Sequence, residues 1–119
     1  MRTIVVINEA HRILPEQEKI LREKFGDYDL LRVPAKGWTR KEMDDLIPSL
    51  MGNKVVCISP VPYLLGMLSA KVGFELGYSN SEPGEVYIFH NDHREKVELP
   101  DGRVIFKIPT EGWELVQIC

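Results

Sequence analysis

Cysteine is scarce: the 119 residues include two, Cys57 and Cys119. One falls in an expected strand and the other at the end of the sequence. That pattern is neither a disulfide framework nor a zinc site, and it fits a reducing cytoplasm. Long hydrophobic runs are also missing. The longest, such as Ile4–Ile7 and Val55–Ile58, are four residues, far short of the roughly 20 that span a bilayer. No basic start leads into an apolar block, so neither a signal peptide nor a membrane partner is expected. Positive charge is not in excess, because 15 Lys+Arg stand against 18 Asp+Glu. The net charge near −3 argues against a protein that coats DNA. Phosphate signatures rich in glycine are absent as well. Neither GxGxxG nor GxxxxGK[ST] occurs, nor a GxSxG nucleophile elbow, which removes three familiar site types. His90 and His93 have no third ligand at metal-site spacing, so no metal and no other cofactor is expected.

What is present is an ordinary globular composition, 44% apolar and 28% charged, of a length that suits one domain over residues 1–119. Thr3 to Asn8 is a β-branched run expected to be a strand buried on both faces. Pro15-Glu16-Gln17 opens a helix to about Phe25, with Ile20, Leu21 and Phe25 as its apolar face and Gly26 just beyond. Asp29 to Val33 is a second strand. Thr39 can N-cap a second helix, with Glu42 as its capping-box partner and Pro48 and Gly52 marking its decay. Lys54 to Ile58 is a third strand, and Tyr63 to Leu76 a third helix with Leu64, Leu65, Leu68 and Val72 as its core stripe and Gly77 as its stop. Glu85 to His90 is a fourth strand. Alternation of strand and helix implies an α/β fold, a mainly parallel sheet with helices on both faces. The last quarter differs: Lys96 to Leu99 and Arg103 to Ile108 flank Pro100-Asp101-Gly102 as a hairpin, and Trp113 to Ile118 suits a final strand.

In such sheets ligands bind beyond the carboxyl ends of the strands. The segments there hold Asn8, Glu9, His11 and Arg12, then Lys36, Trp38, Thr39 and Arg40. Ser59, Pro60 and Tyr63 follow the third strand, and Asn91, Asp92, His93 and Arg94 the fourth. An acidic chain thus carries a locally basic, hydrogen-bonding rim, which suits phosphate better than metal. Loops are polar in any protein, however, so each cation can also be solvated surface. Trp38 and Tyr63 can be packing residues instead of stacking platforms. His90 reads as structural, and Cys57 as a small core residue.

Asn8-Glu9-Ala10-His11-Arg12-Ile13-Leu14-Pro15-Glu16-Gln17 resembles the amino terminus of small CRISPR-associated ring nucleases and ring-nuclease-like proteins of type III systems. Ser59-Pro60-Val61-Pro62, running into an apolar helix, resembles a second loop of the same group, although Ser59 stands where Asn is commoner. Glu9 is a further departure, a carboxylate beside the place of an anion. The resemblance implies a Rossmann-like, cytoplasmic homodimer that binds cyclic oligoadenylate across its two-fold axis and cleaves or sequesters it. Carried over, Asn8 and His11 are residues of the first ligand loop, and Ser59 with Pro60 lies beneath the phosphates.

The chemistry of the residues is compatible with that. A ribose 2′-OH can attack its own phosphodiester, needing alignment, charge stabilisation and a proton shuttle but no metal. Histidine titrates near neutrality, which makes His11 the candidate catalytic residue. Arg12, Lys36 and Arg40 can neutralise phosphate, while Trp38 and Tyr63 can stack on adenine. Two further readings stay open: a non-catalytic binder of the same messenger, and a structural or regulatory partner domain without nucleotide. The hairpin, whose exposed edge could pair with another chain, belongs to the last.

Overall fold

Five consecutive apolar or β-branched positions, Thr3 to Ile7, place the first strand in the middle of the protein. The computed structural model describes residues 1–59, 61–78, 84–93 and 95–119. The elements run β1 (Thr3–Asn8), α1 (Pro15–Phe25), β2 (Asp29–Val33), α2 (Arg40–Leu50), β3 (Lys54–Cys57), α3 (Pro62–Tyr78), β4 (Glu85–His90), β5 (Glu95–Glu98), β6 (Val104–Lys107) and β7 (Glu114–Gln117). One sheet has the order β2-β1-β3-β4-β7, parallel except for β7, which runs antiparallel to β4. β5 and β6 form a separate two-stranded antiparallel sheet. This is the doubly wound α/β architecture with a carboxy-terminal hairpin.

Alternation along β1 divides the core in two. Ile4 and Val6 face α2 and α3 with Met43, Ile47, Leu50, Leu64, Leu68 and Val72. Val5 faces the other way and meets Leu21 of α1, Val56 and Tyr87. Two helices thus cover one face and a single helix the other. Thr39 Oγ1 accepts from the Glu42 N–H at 3.2 Å, and Glu42 Oε1 accepts from the Thr39 N–H at 3.2 Å. That is the capping box the spacing implies.

Local boundaries shift at several elements: β5, β6 and β7 run Glu95–Glu98, Val104–Lys107 and Glu114–Gln117, where Lys96–Leu99, Arg103–Ile108 and Trp113–Ile118 were expected. β3 ends at Cys57, one residue early. Helix α3 starts at Pro62, whose fixed φ and missing N–H suit a first helical turn. It continues through Gly77 to Tyr78, so Gly77 is not its stop. On α1, Leu21 is fully buried while Ile20 and Phe25 are half-buried; Gln17 is the second buried residue of that helix.

Burial pushes the Cys57 thiol up to about 12 from an ordinary value near 9. The raised value means the fold favours the neutral thiol. Its contribution to stability is therefore full below about pH 9 and is lost as pH rises through about 12. We expect one thiol, Cys119, to react with a disulfide reagent in the native protein, and Cys57 only after denaturant is added. Fast reaction of both in the native state would contradict the packing around β3.

Candidate functional site

β1 lies between β2 and β3, so the chain leaves the ends of β1 and β3 in opposite directions and opens a crevice there. The ladder continues past β3 because the Ile58 N–H donates to the Val6 carbonyl at 2.9 Å. This sets Ser59 beside Asn8. The Ser59 hydroxyl accepts from the Asn8 N–H at 2.9 Å and lies 3.0 Å from His11 Nδ1. Asn8 Oδ1 accepts from the Ala10 N–H at 2.9 Å, and the Asn8 carbonyl from the His11 N–H at 2.9 Å. A short turn thus brings the imidazole back over the strand end.

Glu9, a carboxylate where an anion was expected, is tied down elsewhere. Its Oε1 accepts from the Ala35 N–H at 2.7 Å, and its own N–H donates to Val33 at 2.8 Å. The first loop is thereby pinned to the segment after β2.

The Ser59 side chain is buried, at 4% exposure. With its oxygen already accepting from Asn8, its single proton finds a partner in His11 Nδ1. A neutral ring that accepts this proton at Nδ1 carries its own on Nε2, a donor on the ring's other nitrogen. Ser59 therefore acts on His11 by orienting it.

His11 borders a cleft of about 500 Å³. One side is built by His11, Arg12, Leu14 and Gln17, with Ile58 adjoining. The opposite side is Phe106 to Pro109, at the end of β6, together with Trp113. Most of this lining is apolar, and among the described residues it contains two cations, Arg12 and Lys107, and no carboxylate. Such a cleft suits a ligand with a flat apolar part and an anionic part.

Motif residues build both sides. Pro15 opens α1, and Gln17 Oε1 accepts from the Leu14 N–H at 3.0 Å. Glu16 Oε1 accepts from the Trp113 N–H at 2.7 Å. Trp113 Nε1 donates to the Pro109 carbonyl at 2.9 Å, and its ring meets Phe89 edge-on at 6.4 Å. Buried Asn91 donates to the Glu111 carbonyl at 2.8 Å and accepts from the His93 N–H at 2.9 Å. Gly112, at φ +85°, passes close to that amide; a Cβ there would lie 3.4 Å from Asn91 Oδ1.

Of the residues proposed from sequence, Asn8, His11 and Ser59 are joined by hydrogen bonds, and of these His11 lines the cleft together with Arg12, while Asn8 and Ser59 lie behind it. Lys36 is exposed in the turn after β2. Trp38 and Tyr63 are half-buried against the α2–α3 core, and Arg40 is the exposed first residue of α2. The Tyr63 hydroxyl donates to Asp44 Oδ1 at 2.7 Å, and this bond raises its pKa above the usual phenol range. None of Lys36, Trp38, Arg40 and Tyr63 lines the His11 cleft. Pro60 and Arg94 lie outside the described residues. His90 Nε2 contacts Asp92 at 2.6 Å. Sequence reasoning missed Phe106, Lys107, Ile108 and Trp113. Their one signal was an apolar strand interrupted by a lysine, which carries no mark of a site.

Comparison with protein-family models, with curated proteins and with solved structures gives no match.

The variant Ser59→Ala strips the Asn8 N–H of its acceptor, a loss of about 1–3 kcal/mol in urea unfolding. It also releases the ring: ¹⁵N NMR of neutral His11 should read Nε2–H in the native protein and a mixture of tautomers in the variant. An identical tautomer in both would remove Ser59 as the orienting group.

Proposed function

We propose that this protein is a cytoplasmic binder of cyclic oligoadenylate that cleaves the ring without metal, acting as a homodimer. What supports the reading most is the contact between His11 Nδ1 and buried Ser59 at the mouth of a cleft that also holds Arg12 and Lys107. The apolar lining suits a purine and the cations suit its phosphate. His11 presents Nε2–H to that phosphate as a hydrogen-bond donor.

In the cleavage step the ribose 2′-oxygen bonds to phosphorus as the bond to the 5′-oxygen breaks. The products are a 2′,3′-cyclic phosphate and a 5′-hydroxyl. The imidazolium, whose Nδ1–H then donates to the second lone pair of Ser59 Oγ, gives its Nε2 proton to the departing 5′-oxygen, and the 2′-proton leaves to solvent. Arg12 and Lys107 offset the charge that builds on the phosphoryl oxygens. No helix of the described residues is long and apolar enough to cross a membrane.

One observation favours sequestration over cleavage. Among the described residues that line the cleft, His11 is the one imidazole and none is a carboxylate. A single donor holds a phosphate well but serves only one of the two proton transfers.

Radiolabelled cyclic tetra- and hexa-adenylate, incubated with the protein in EDTA, separate the readings. Cleavage predicts linear products, with a rate that falls about 100-fold or more in His11→Ala while the ring is still retained. Retention without products establishes the sequestering form. Failure to retain either ring rejects both.

A further inference from the structure

The hairpin is the least satisfied part of the fold. Phe106 is 66% and Ile108 69% exposed, with Val104 and Ile105 above two-fifths. Val104, Phe106 and Ile108 alternate onto one face and present on the order of 300 Å² of apolar surface there, in the range of the largest patch on a typical monomer. The molecule is long, 58 × 33 × 23 Å, with a radius of gyration of 16.1 Å, against about 13.5 Å for a compact chain of this length. An isolated two-stranded hairpin is marginally stable in water, and three or more strands are needed to hold it firmly.

The two edges of the hairpin differ. β5 is Glu95-Lys96-Val97-Glu98, an edge defended by charge, whereas β6 is Val104-Ile105-Phe106-Lys107 followed by Ile108, without proline. The Leu99 N–H donates to the Arg103 carbonyl at 2.8 Å. Antiparallel rungs alternate, so Val97 and Ile105 bond each other, and the wide pairs are Glu98–Val104 and Lys96–Phe106. The N–H and C=O groups of Val104 and Phe106 therefore point to the open side of β6.

We infer that β6 pairs antiparallel with β6 of a second copy of this chain, making a four-stranded sheet across a two-fold axis at Phe106. In that register Phe106 faces its own copy, and Val104 faces the partner's Ile108. Lys107 then lies opposite an isoleucine. Moving the axis to Ile105 would set Arg103 against the partner's Lys107 twice, a like-charge opposition that disfavours it. Moving it to Val104 leaves Phe106 against a glycine. The Phe106 register joins all six outward apolar side chains of one face. The two apolar patches total on the order of 600 Å², which with the paired backbone places the contact among small interfaces, below the roughly 1,200 Å² of a standard one. Because Phe106 and Ile108 also line the His11 cleft, pairing fixes one side of that cleft in each copy.

The pairing is a property of the ligand-free chain, so its test needs no nucleotide. Sedimentation velocity at micromolar concentration should show a dimer. Phe106→Lys, which sets two ammonium groups face to face, should give a monomer with an unchanged circular dichroism spectrum. The register is read by mild oxidation. Phe106→Cys should form disulfide-linked dimers, while Ile105→Cys and the native protein should not. A ligand-free protein that sediments as a monomer overturns the inference, as does a dimer that survives Phe106→Lys. Cross-linking through Ile105→Cys in place of Phe106→Cys overturns the register.

Discussion

Everything that makes a site in this protein depends on β1 being hydrogen-bonded on both sides. β2 and β3 are its parallel neighbours, and its side chains are buried against helices on both faces. A strand so enclosed has one register and one direction, so its carboxyl end lies at a fixed point beside the end of β3. The reversal of strand order there opens the crevice. Ser59 then converts a gap between two strand ends into a defined position for an imidazole. A buried hydroxyl that already accepts from the Asn8 N–H holds the ring of His11 by its Nδ1.

The cleft forms where the helical cover runs out. Two helices pack on one face of the sheet, but α1 alone serves the other, and it covers Val5, Val56 and Tyr87. Ile58, Phe89 and Leu115 lie towards the margin of that cover and are only partly buried. The segment before β7 closes part of this space through Trp113, held by Glu16 and by the edge-on contact with Phe89. What is left between that segment, the end of β6 and the first loop is the cleft. Residues that look like helix-entry chemistry, Pro15, Glu16 and Gln17, thus also anchor the far side of a pocket.

Much of the α/β arrangement was legible because its signals are local. The buried strands, the capping box at Thr39 and Glu42, and the turn of the hairpin each follow from residues within a few positions of one another. The pairing of Asn8 and His11 with Ser59 was legible in part, since strand ends at a switch point are neighbours. The rim of cations was misleading as a unit. The segment after β2 leads into α2, on the opposite face from α1, and takes Trp38 into the α2–α3 core with Tyr63. Residues that share a position in the strand–loop pattern therefore part company according to which face their helix covers. Lys107 and Phe106 sit in the hairpin, beyond the parallel strands, and no periodicity marks them as site residues.

The amino-acid sequence by itself determined the elements, their order, the parallel sheet and the polar segments at its strand ends. Hydrophobic period, capping residues and turn residues act over a few bonds, so they can be read along the chain. The tertiary structure alone decided which polar residues share a cleft and which edge of the hairpin stays open. Those outcomes rest on hydrogen bonds between residues 51 and 97 positions apart, and on which face of the sheet each helix covers. Neither leaves a trace in local composition.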